Sequence, residues 1–334
     1  MPKSKPKVFS RVLGSGMSVP SRVIENNYFA SYLDTTDEWI QDRTGIVERR
    51  WVEKGVGASE LAAPAAIQAI KNAALNVSDI QAIVFATATP DYAYPSSACV
   101  LQKRLGIPNT ALAFDINAVC SGFVYAITTA DSLIARGIVK NVLVIGADIF
   151  SSSINPNDRA TCVLFGDGAG AVVLGAVDDD SDRGIYGSIL GADGNYGDIL
   201  CAKIGSAAPV TAESLAANSH YLQMQGKEVF KLAVRRLGEI NQEILVKYGY
   251  NSSEVNYFVS HQANKRILTA TAERLGIGLD RMPINLEKYG NTSAASIPIV
   301  LAEFEQAGKI KAGDLIVLSA FGAGVTWGAV ILRW

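Results

Sequence analysis

The chain repeats itself once, and this duplication limits its fold more than any other feature. Three landmarks recur in the same order, at offsets of 175, 170 and 173 residues: SDIQ (78–81) as SEVN (253–256), LGI (105–107) as LGI (275–277), and the apolar run from Val142 as the run from Leu315. Chance does not readily produce three matches in one order with one spacing. The sequence therefore predicts two similar halves, 1–178 and 179–334, joined within the acidic stretch DDDSD (178–182), which is typical of a solvated turn.

Within each half, apolar runs of strand length alternate with helical patterns. IQAIVFATA (80–88) and NVLVIGAD (141–148) are candidates for buried strands, whereas 59–74 and 121–136 have apolar residues at helical spacing. This alternation predicts an α/β fold with a largely parallel sheet covered by helices. The uncharged stretch 315–332 is as long as a short membrane helix. Its glycines and β-branched residues instead favour two buried strands joined by a glycine turn, so we expect no membrane insertion.

Composition excludes some classes of function. The 334 residues carry a formal net charge of −2, which argues against non-specific binding to nucleic acid. The four cysteines are scattered, without the spacing of a metal site. The N-terminal segment lacks the apolar stretch of a signal peptide, so we expect a cytoplasmic protein with reduced thiols.

Cys120 is the candidate nucleophile among the cysteines. It lies in FDINAVCSGFVYAITTA, where a helical pattern begins at or just after the cysteine. The N–H groups and the dipole at a helix N-terminus favour a thiolate, so we expect the pKa of Cys120 to lie below its ordinary value. The small neighbours Ser121 and Gly122 leave room for a substrate. The alternative reading is that Cys120 is simply a small buried apolar residue.

His261 and Asn291 are the candidate partners of this cysteine. His261 follows the strand candidate NYFVS and is placed to act as a general base or hydrogen-bond donor, although a structural histidine is the alternative. Asn291, in KYGNTSAASIP, can polarise a carbonyl or simply cap a helix. Each half contributes one residue shortly after its LGI landmark, so Cys120 and Asn291 are predicted to occupy pseudo-equivalent positions at one central site. Backbone amides of FGAGVTWG (321–328) are candidates to complete an oxyanion hole with the Cys120 amide.

Several motifs together resemble β-ketoacyl-acyl-carrier-protein synthase III, the initiating condensing enzyme family of type II fatty-acid synthesis in the thiolase superfamily. The motifs run nearly from end to end of the chain: DTTDEWIQDRTGIVERR (34–50), YPSSAC (94–99), DINAVCSGF (115–123), NDRATCVLFGDGAGAVVL (157–174), HQANKRI (261–267), GNTSAASIP (290–298) and AFGAGVTWG (320–328). The resemblance implies a thiolase-like α/β fold of two pseudo-equivalent halves in five layers, α-β-α-β-α. It also implies a catalytic triad of Cys120, His261 and Asn291, with the amides of Cys120 and Ala323 as oxyanion hole.

The implied reaction joins an acyl group from acyl-CoA to a malonyl group on acyl carrier protein, through an acyl-cysteine and with loss of CO₂. It requires neither a metal nor another cofactor. The resemblance further implies a homodimer, and it assigns binding roles as follows: Trp39, Arg43, Arg159 and Asn264 to CoA; Tyr94, Phe165 and Met224 to the acyl pocket; Gln262, Ala263, Asn264, Lys265, Arg266 and Lys231 to the carrier protein. Trp39 and Arg159 would sandwich the adenine, and Tyr94 would cross the dimer interface. For Trp39 the alternative is helix packing behind a capping box of Thr35 and Glu38.

Three other readings compete with this one. A specialised homologue would use another primer or acceptor, as in biotin-precursor, quinolone or polyketide pathways. A papain-like protease also uses cysteine, histidine and asparagine, but its local signature around the cysteine is absent here. An inactive binding or scaffold protein is the third. Ala323 stands where relatives have a glycine in FGGG, and only its backbone N–H is needed.

Overall fold

The computed structural model describes residues 8–177 and 182–334. In this part of the chain the strands are β1 Ser10–Ser18, β2 Val23–Glu25, β3 Glu48–Arg50, β4 Ala82–Ala86, β5 Leu112–Ile116, β6 Asn141–Asp148, β7 Gly168–Ala176, β8 Gly184–Ala192, β9 Leu200–Cys201, β10 Gln223–Met224, β11 Tyr257–Ser260, β12 Leu315–Gly322 and β13 Thr326–Arg333. The α-helices are α1 Asn26–Ala30, α2 Asp37–Thr44, α3 Ala58–Asn72, α4 Ser97–Leu105, α5 Gly122–Ala135, α6 Ala212–Ala216, α7 Gly226–Tyr248, α8 Lys265–Leu275, α9 Leu286–Tyr289 and α10 Ser296–Gln306.

Two central sheets organise these elements. The first has the strand order β1-β7-β6-β4-β5 and the second has the order β11-β12-β13-β8. In the first sheet β4 is parallel to both β5 and β6, but β7 is antiparallel to β6 and β1. In the second, only β11 and β12 are parallel. The prediction of a largely parallel sheet was therefore wrong. In the second half β13 follows β12 through a short turn, which reverses the chain, whereas a parallel neighbour needs a helical crossover.

The elements form five layers. Helices α3 and α4 pack on the outer face of the first sheet, through a core of alanine, isoleucine and leucine side chains. Helices α5 and α10 lie between the two sheets and contact both. Helices α7 and α8 cover the outer face of the second sheet. Neighbouring residues of one strand serve different layers, as with Val84 in the central layer and Phe85 in the outer one, because successive side chains point to opposite faces. The five-layered α-β-α-β-α prediction is confirmed.

The repeated landmarks have repeated conformations. The SDIQ and SEVN segments each follow an asparagine that forms a capping box, Asn76 with Asp79 and Asn251 with Glu254. Gly106 ends α4 and Gly276 ends α8 in the same left-handed conformation, which glycine adopts without a steric cost. The strands β6 and β12 each span 8 residues. The predicted junction at 178–182 lies almost wholly outside the described residues, so the exact boundary between the halves stays a prediction.

Most local predictions agree with the structure. The stretch 315–332 forms β12 and β13, both largely buried, with a glycine-containing turn between them. In the described residues, no helix is long and apolar enough to span a membrane. The predicted cap of α2 is wrong by one residue. Thr36 rather than Thr35 accepts the amide of Trp39, at 3.1 Å, because Thr36 has the extended backbone of an N-cap.

Candidate active site

One internal cavity brings the three predicted catalytic residues together. It has a volume of about 110 Å³, and its lining includes Cys120, His261 and Asn291. Phe165 and Met224, both predicted for the acyl pocket, line the same cavity. The first half supplies the cysteine and the second half supplies the histidine and the asparagine, so the cavity exists only where the two halves meet.

Cys120 lies in a single 3-10 turn, Val119–Ser121, that runs directly into α5. Val119 has a φ of 47°, an unusual conformation for a β-branched residue, and it aims the cysteine into the cavity. Burial raises the pKa of the Cys120 thiol to about 12, although a hydrogen bond from Ser293 lowers it. The prediction of a thiolate in the resting site was therefore wrong. Desolvation of a fully enclosed thiol outweighs the helix N-terminus.

His261 is buried immediately after β11. Its Nδ1 lies 2.8 Å from Ser296 Oγ, and burial lowers the pKa of the imidazole to about 4. The ring is consequently neutral at neutral pH. A hydroxyl group both donates and accepts, so Ser296 is compatible with either tautomer of His261. The Nε2 atom can therefore serve as a proton acceptor in one step and as a hydrogen-bond donor in another.

Asn291 is held between the halves by backbone pairing. Its N–H donates to Leu164 O at 2.8 Å, and its carbonyl accepts from Gly166 N at 3.0 Å. The side-chain Oδ1 accepts the Ser293 N–H at 2.9 Å. Since the amide oxygen is engaged, the side-chain NH₂ is the group that Asn291 offers to a ligand.

The predicted equivalence of Cys120 and Asn291 needs a correction of three residues. The left-handed residues Val119 and Ser293 each start a 3-10 turn that leads into a helix, at an offset of 174. With that register Cys120 corresponds to Ala294, and Asn291 corresponds to Asn117. The LGI landmarks misled the comparison because the segments that separate each landmark from its 3-10 turn differ in length.

The turn after β12 lies against the backbone of the nucleophile. A Cβ atom added to Gly322 would come within 2.9 Å of Cys120 N, so this glycine permits a close approach of the two chains. Thr326, which follows the turn, hydrogen-bonds the segment around Cys120, which we call the nucleophile loop. Its Oγ1 donates to Ala118 O at 3.2 Å and lies 2.7 Å from Ser121 Oγ. The contribution of the Ala323 amide to an oxyanion hole stays a prediction.

A surface groove of about 660 Å³ adjoins the cavity. The two share Met224, Phe230 and Asn264 in their linings, so the groove leads towards Cys120. Among the described residues, the groove lining has five cationic side chains and no carboxylate: Arg43, Arg159, Lys227, Lys231 and Arg266. Such a lining suits a ligand with phosphate groups.

Trp39 and Arg159 both lie in this groove, but they contact each other. Arg159 Cζ is 4.7 Å from the centre of the Trp39 ring, and Arg159 also binds the carbonyl of Asp34. A planar base needs about 3.5 Å on each face. An adenine could be sandwiched here only after the guanidinium moves, so the predicted slot is closed in this structure.

The residues predicted for the carrier protein separate into two groups. Lys265 and Arg266 begin α8 at the surface, and Asn264 caps that helix while its Nδ2 donates to Arg43 O at 3.0 Å. Lys231 lies on α7, where it pairs with Glu228 at 3.3 Å. Ala263 lines the inner cavity.

Gln262 differs from the other residues predicted for the carrier protein. It is 1% exposed, and its side-chain amide donates to the carbonyls of Ser260 and Pro283 at 2.9 and 3.1 Å. Neighbouring loops cover its side chain, and its contact with the carrier protein stays a prediction. Tyr94 is 86% exposed and lies outside the cavity lining, so its role at a dimer interface stays a prediction.

Sequence reasoning missed three polar residues around the triad, namely Ser293, Ser296 and Asp148. All three are buried, and Asp148 reaches the site from the end of β6 in the opposite half. No motif or spacing points from Asp148 to Cys120. In the described part of the chain, no cluster of His, Cys, Asp and Glu side chains is arranged to hold a metal ion.

Comparison with known proteins now identifies the family. Residues 114–194 match the model of 3-oxoacyl-[acyl-carrier-protein] synthase III, and residues 245–334 match the model of its C-terminal part. The chain belongs to this family.

Individual relatives agree with that assignment over nearly their full length. The chain is 46% identical to the β-ketoacyl-[acyl-carrier-protein] synthase III of Clostridioides difficile and 48% identical to that of Rhodobacter capsulatus, over 97% of this chain and 98% of each relative. The crystal structure of the synthase III from Aquifex aeolicus superimposes with a TM-score of 0.90 at 44% identity, covering 97% of this chain and 100% of the other. The thiolase-like fold and the acyltransferase class are thus those of the family.

Proposed function

We propose that this chain condenses an acyl-CoA with malonyl-acyl carrier protein and so starts fatty-acid synthesis. The observation that carries the proposal is the convergence of Cys120, His261 and Asn291 on one cavity at the end of a cationic groove. The names of full-length relatives support the same activity. The specialised homologue, the papain-like protease and the scaffold find no comparable support.

In the first half of the reaction, Cys120 Sγ attacks the thioester carbonyl of the acyl-CoA. Because the pKa of the resting thiol is raised, its proton must pass to a base during the attack, and neutral His261 is the candidate. The tetrahedral intermediate collapses to an acyl-cysteine and a CoA thiolate, which takes up a proton on release. Amides of Cys120 and Ala323 would stabilise the developing oxyanion.

In the second half, the malonyl thioester takes the place of CoA. Nε2–H of His261 and the NH₂ of Asn291 donate to its thioester carbonyl, so that loss of CO₂ leaves a stabilised enolate. The enolate carbon attacks the acyl-cysteine and forms the new carbon–carbon bond. Cys120 then leaves as a thiolate and recovers its proton. Loss of CO₂ drives the reaction, so this chemistry needs neither a metal nor a further cofactor.

The residues around the groove are suited to bind CoA and the carrier protein. Arg43 and Arg159 would bind CoA phosphates, with Trp39 against the adenine once Arg159 has moved. Lys265, Arg266 and Lys231 would meet acidic groups of the carrier protein. The exposed Tyr94 fits a homodimer in which it limits the acyl pocket of the partner, and we expect the enzyme in the cytoplasm.

Intact-protein mass spectrometry after mixing with a panel of acyl-CoAs tests this function. We expect the wild-type protein to gain the mass of one acyl group and Cys120→Ala to gain none, with turnover reduced at least ~1,000-fold. Cys99→Ala, which alters a thiol on α4, is the control and should retain the adduct. An adduct that persists in Cys120→Ala would refute the assignment of the nucleophile. No wild-type adduct with any acyl-CoA would refute acyl-CoA as the donor.

A further inference from the structure

Ser293 contacts all three members of the proposed triad. Its Oγ lies 3.4 Å from Cys120 Sγ, and its N–H donates to Asn291 Oδ1 at 2.9 Å. Its backbone also forms the hydrogen bond that raises the pKa of His261 against the effect of burial. Ser293 is fully buried and has a φ of 52°, so a strained conformation places these groups together.

Asp148 reaches the same loop from the other half of the molecule. Its Oδ1 accepts four hydrogen bonds, from Thr87 Oγ1 at 3.1 Å, Ala88 N at 2.8 Å, Thr89 N at 3.2 Å and Thr89 Oγ1 at 2.9 Å. Its Oδ2 accepts the N–H of Ala294, the residue after Ser293, at 3.2 Å. A fully buried aspartate with this many donors is held in one position.

The Ser293 hydroxyl donates to the reactive sulfur, and Asp148 holds the neighbouring residue of the same loop. When Cys120 loses its proton, the sulfur becomes a stronger acceptor. A hydrogen bond to a charged sulfur is worth more than one to a neutral thiol, so the hydroxyl stabilises the thiolate more than the thiol.

We propose that Ser293 is a fourth catalytic residue, whose hydroxyl donates to Cys120 Sγ and stabilises the sulfur as the thiol loses its proton. Asp148, which binds the N–H of the next residue, is the positioning residue of this loop. The inference rests on the proposed role of Cys120 as nucleophile. No proton is transferred along this path, because the thiol proton still goes to His261 and Ser293 keeps its own. Once the acyl-cysteine has formed, the sulfur is a poor acceptor, so the hydroxyl stabilises chiefly the thiolate.

The electrostatics around the thiol agree with this arrangement. Burial raises the pKa of Cys120, the Ser293 hydrogen bond lowers it, and the charge of Asp148 raises it. The titratable groups that face this region are Asp148 from β6, His261 after β11 and Asp167 before β7, which lies close enough to Asp148 for their charges to interact. Asp148 therefore favours the thiol at rest, whereas Ser293 favours the thiolate during attack.

Alkylation of Cys120 by iodoacetamide, followed by mass spectrometry between pH 7 and 9, tests the inference. Below the pKa of a thiol, the rate changes about ten-fold for each unit by which that pKa moves. We expect Ser293→Ala to be alkylated, and to be acylated by acyl-CoA, about ten-fold more slowly than wild type. Asp148→Asn should be alkylated about ten-fold faster, because the opposing charge is removed. The Ser293 and Asp148 variants thus have opposite expected effects.

Two further variants separate this role from a structural one. Ser293→Gly also lacks the hydroxyl but relaxes the left-handed backbone, so it should be alkylated as slowly as Ser293→Ala. Ser10→Ala removes a buried hydroxyl elsewhere, which donates to Asp131 at 2.7 Å. Asp131 lies on α5 about 14 Å along the helix from its start. Ser10→Ala should react at the wild-type rate.

Each other result decides against the inference. Wild-type rates in both Ser293 variants, a normal rate in Ser293→Gly alone, or slower alkylation of Asp148→Asn would overturn it. If Asp148→Asn fails to fold in a thermal melt, the two Ser293 variants decide alone. Alkylation and acylation of the wild-type protein at a residue other than Cys120 would instead refute the proposed function.

Discussion

Two loops of this molecule, 117–122 and 291–296, have the same backbone conformation but different neighbours. In 117–122 and in 291–296, an asparagine Oδ1 accepts the N–H of a left-handed residue two positions later, at 3.4 Å for Asn117 and Val119 and at 2.9 Å for Asn291 and Ser293. A 3-10 turn and a helix follow in both loops. The first loop presents the cysteine, whereas the second presents alanine at the matching position.

The difference continues in the strand that faces each loop. β6 ends at Asp148, whose carboxylate accepts the Ala294 N–H of the second loop. The corresponding β12 ends at Gly322, which has no side chain and lies directly against Cys120 N. One helix start is thus covered by a buried carboxylate and the other is left without one. The same local fold serves as a rigid support in one half and as a reaction site in the other.

Substitution of the two matching asparagines should give the largest difference in activity between the two loops. Asn291→Ala should lower kcat by roughly 100- to 1,000-fold, because it removes a proposed donor to the thioester carbonyl and loosens Ser293. Asn117→Ala removes the matching hydrogen bond at an exposed site and should change kcat by less than about 3-fold. Steady-state assays with acyl-CoA and malonyl-acyl carrier protein measure both. Equal losses in the two variants would mean that the asparagines only support their loops.

Adding a side chain at the end of β12 should have the next largest effect. In Gly322→Ala the new Cβ would meet Cys120 N and Ser121 N at 2.9 Å, which displaces the nucleophile loop. We expect kcat to fall about 100-fold, with acyl-enzyme formation slowed equally. Gly194→Ala is the matched control, because a Cβ there has no neighbour within 4 Å. Full activity of Gly322→Ala would show that the close approach is not needed.

The burial of His261 predicts a smaller effect, on stability. The folded pKa is about 4 and the ordinary value is 6.5, so between these values the unfolded chain binds a proton that the folded protein does not. This contribution makes the free energy of unfolding fall with falling pH, by about 1.4 kcal/mol per unit in that window.

Urea unfolding of wild type and His261→Ala at several pH values between 4 and 7 measures that dependence. The difference in free energy of unfolding between the two proteins should shrink as the pH falls. The buried imidazole destabilises the wild type at low pH, and the variant lacks it. His220→Ala alters the other histidine and should keep the wild-type contribution of His261. A pH-independent difference between wild type and His261→Ala would argue against a neutral buried ring.

Several elements could be predicted from residues alone because their causes are local. The apolar run NVLVIGAD forms β6 with the predicted bounds, and the LGI glycines end α4 and α8 in left-handed conformations. Specific motifs also pointed to Cys120, His261 and Asn291, which the fold brings to one cavity. The register between the halves was off by three residues, because loops of different length follow the landmarks in each half.

The ionisation of Cys120 depends on more than its local sequence. A helix N-terminus is visible in the sequence and favours a thiolate, but the enclosure of the thiol depends on residues more than a hundred positions away. The same holds for Gln262, whose place in HQANKRI predicted a surface contact and whose side chain is covered. Burial is a property of packing and has no signature in spacing.

By itself, the sequence determined the duplicated α/β architecture, the helix ends and the chemical groups available for catalysis, since these depend on neighbouring residues and repeated patterns. Only the tertiary structure decided that Asp148 and Ser293 join the site, that the thiol rests protonated and that Arg159 closes over Trp39. The physical reason is that desolvation and charge act through space, between segments that only folding brings into contact.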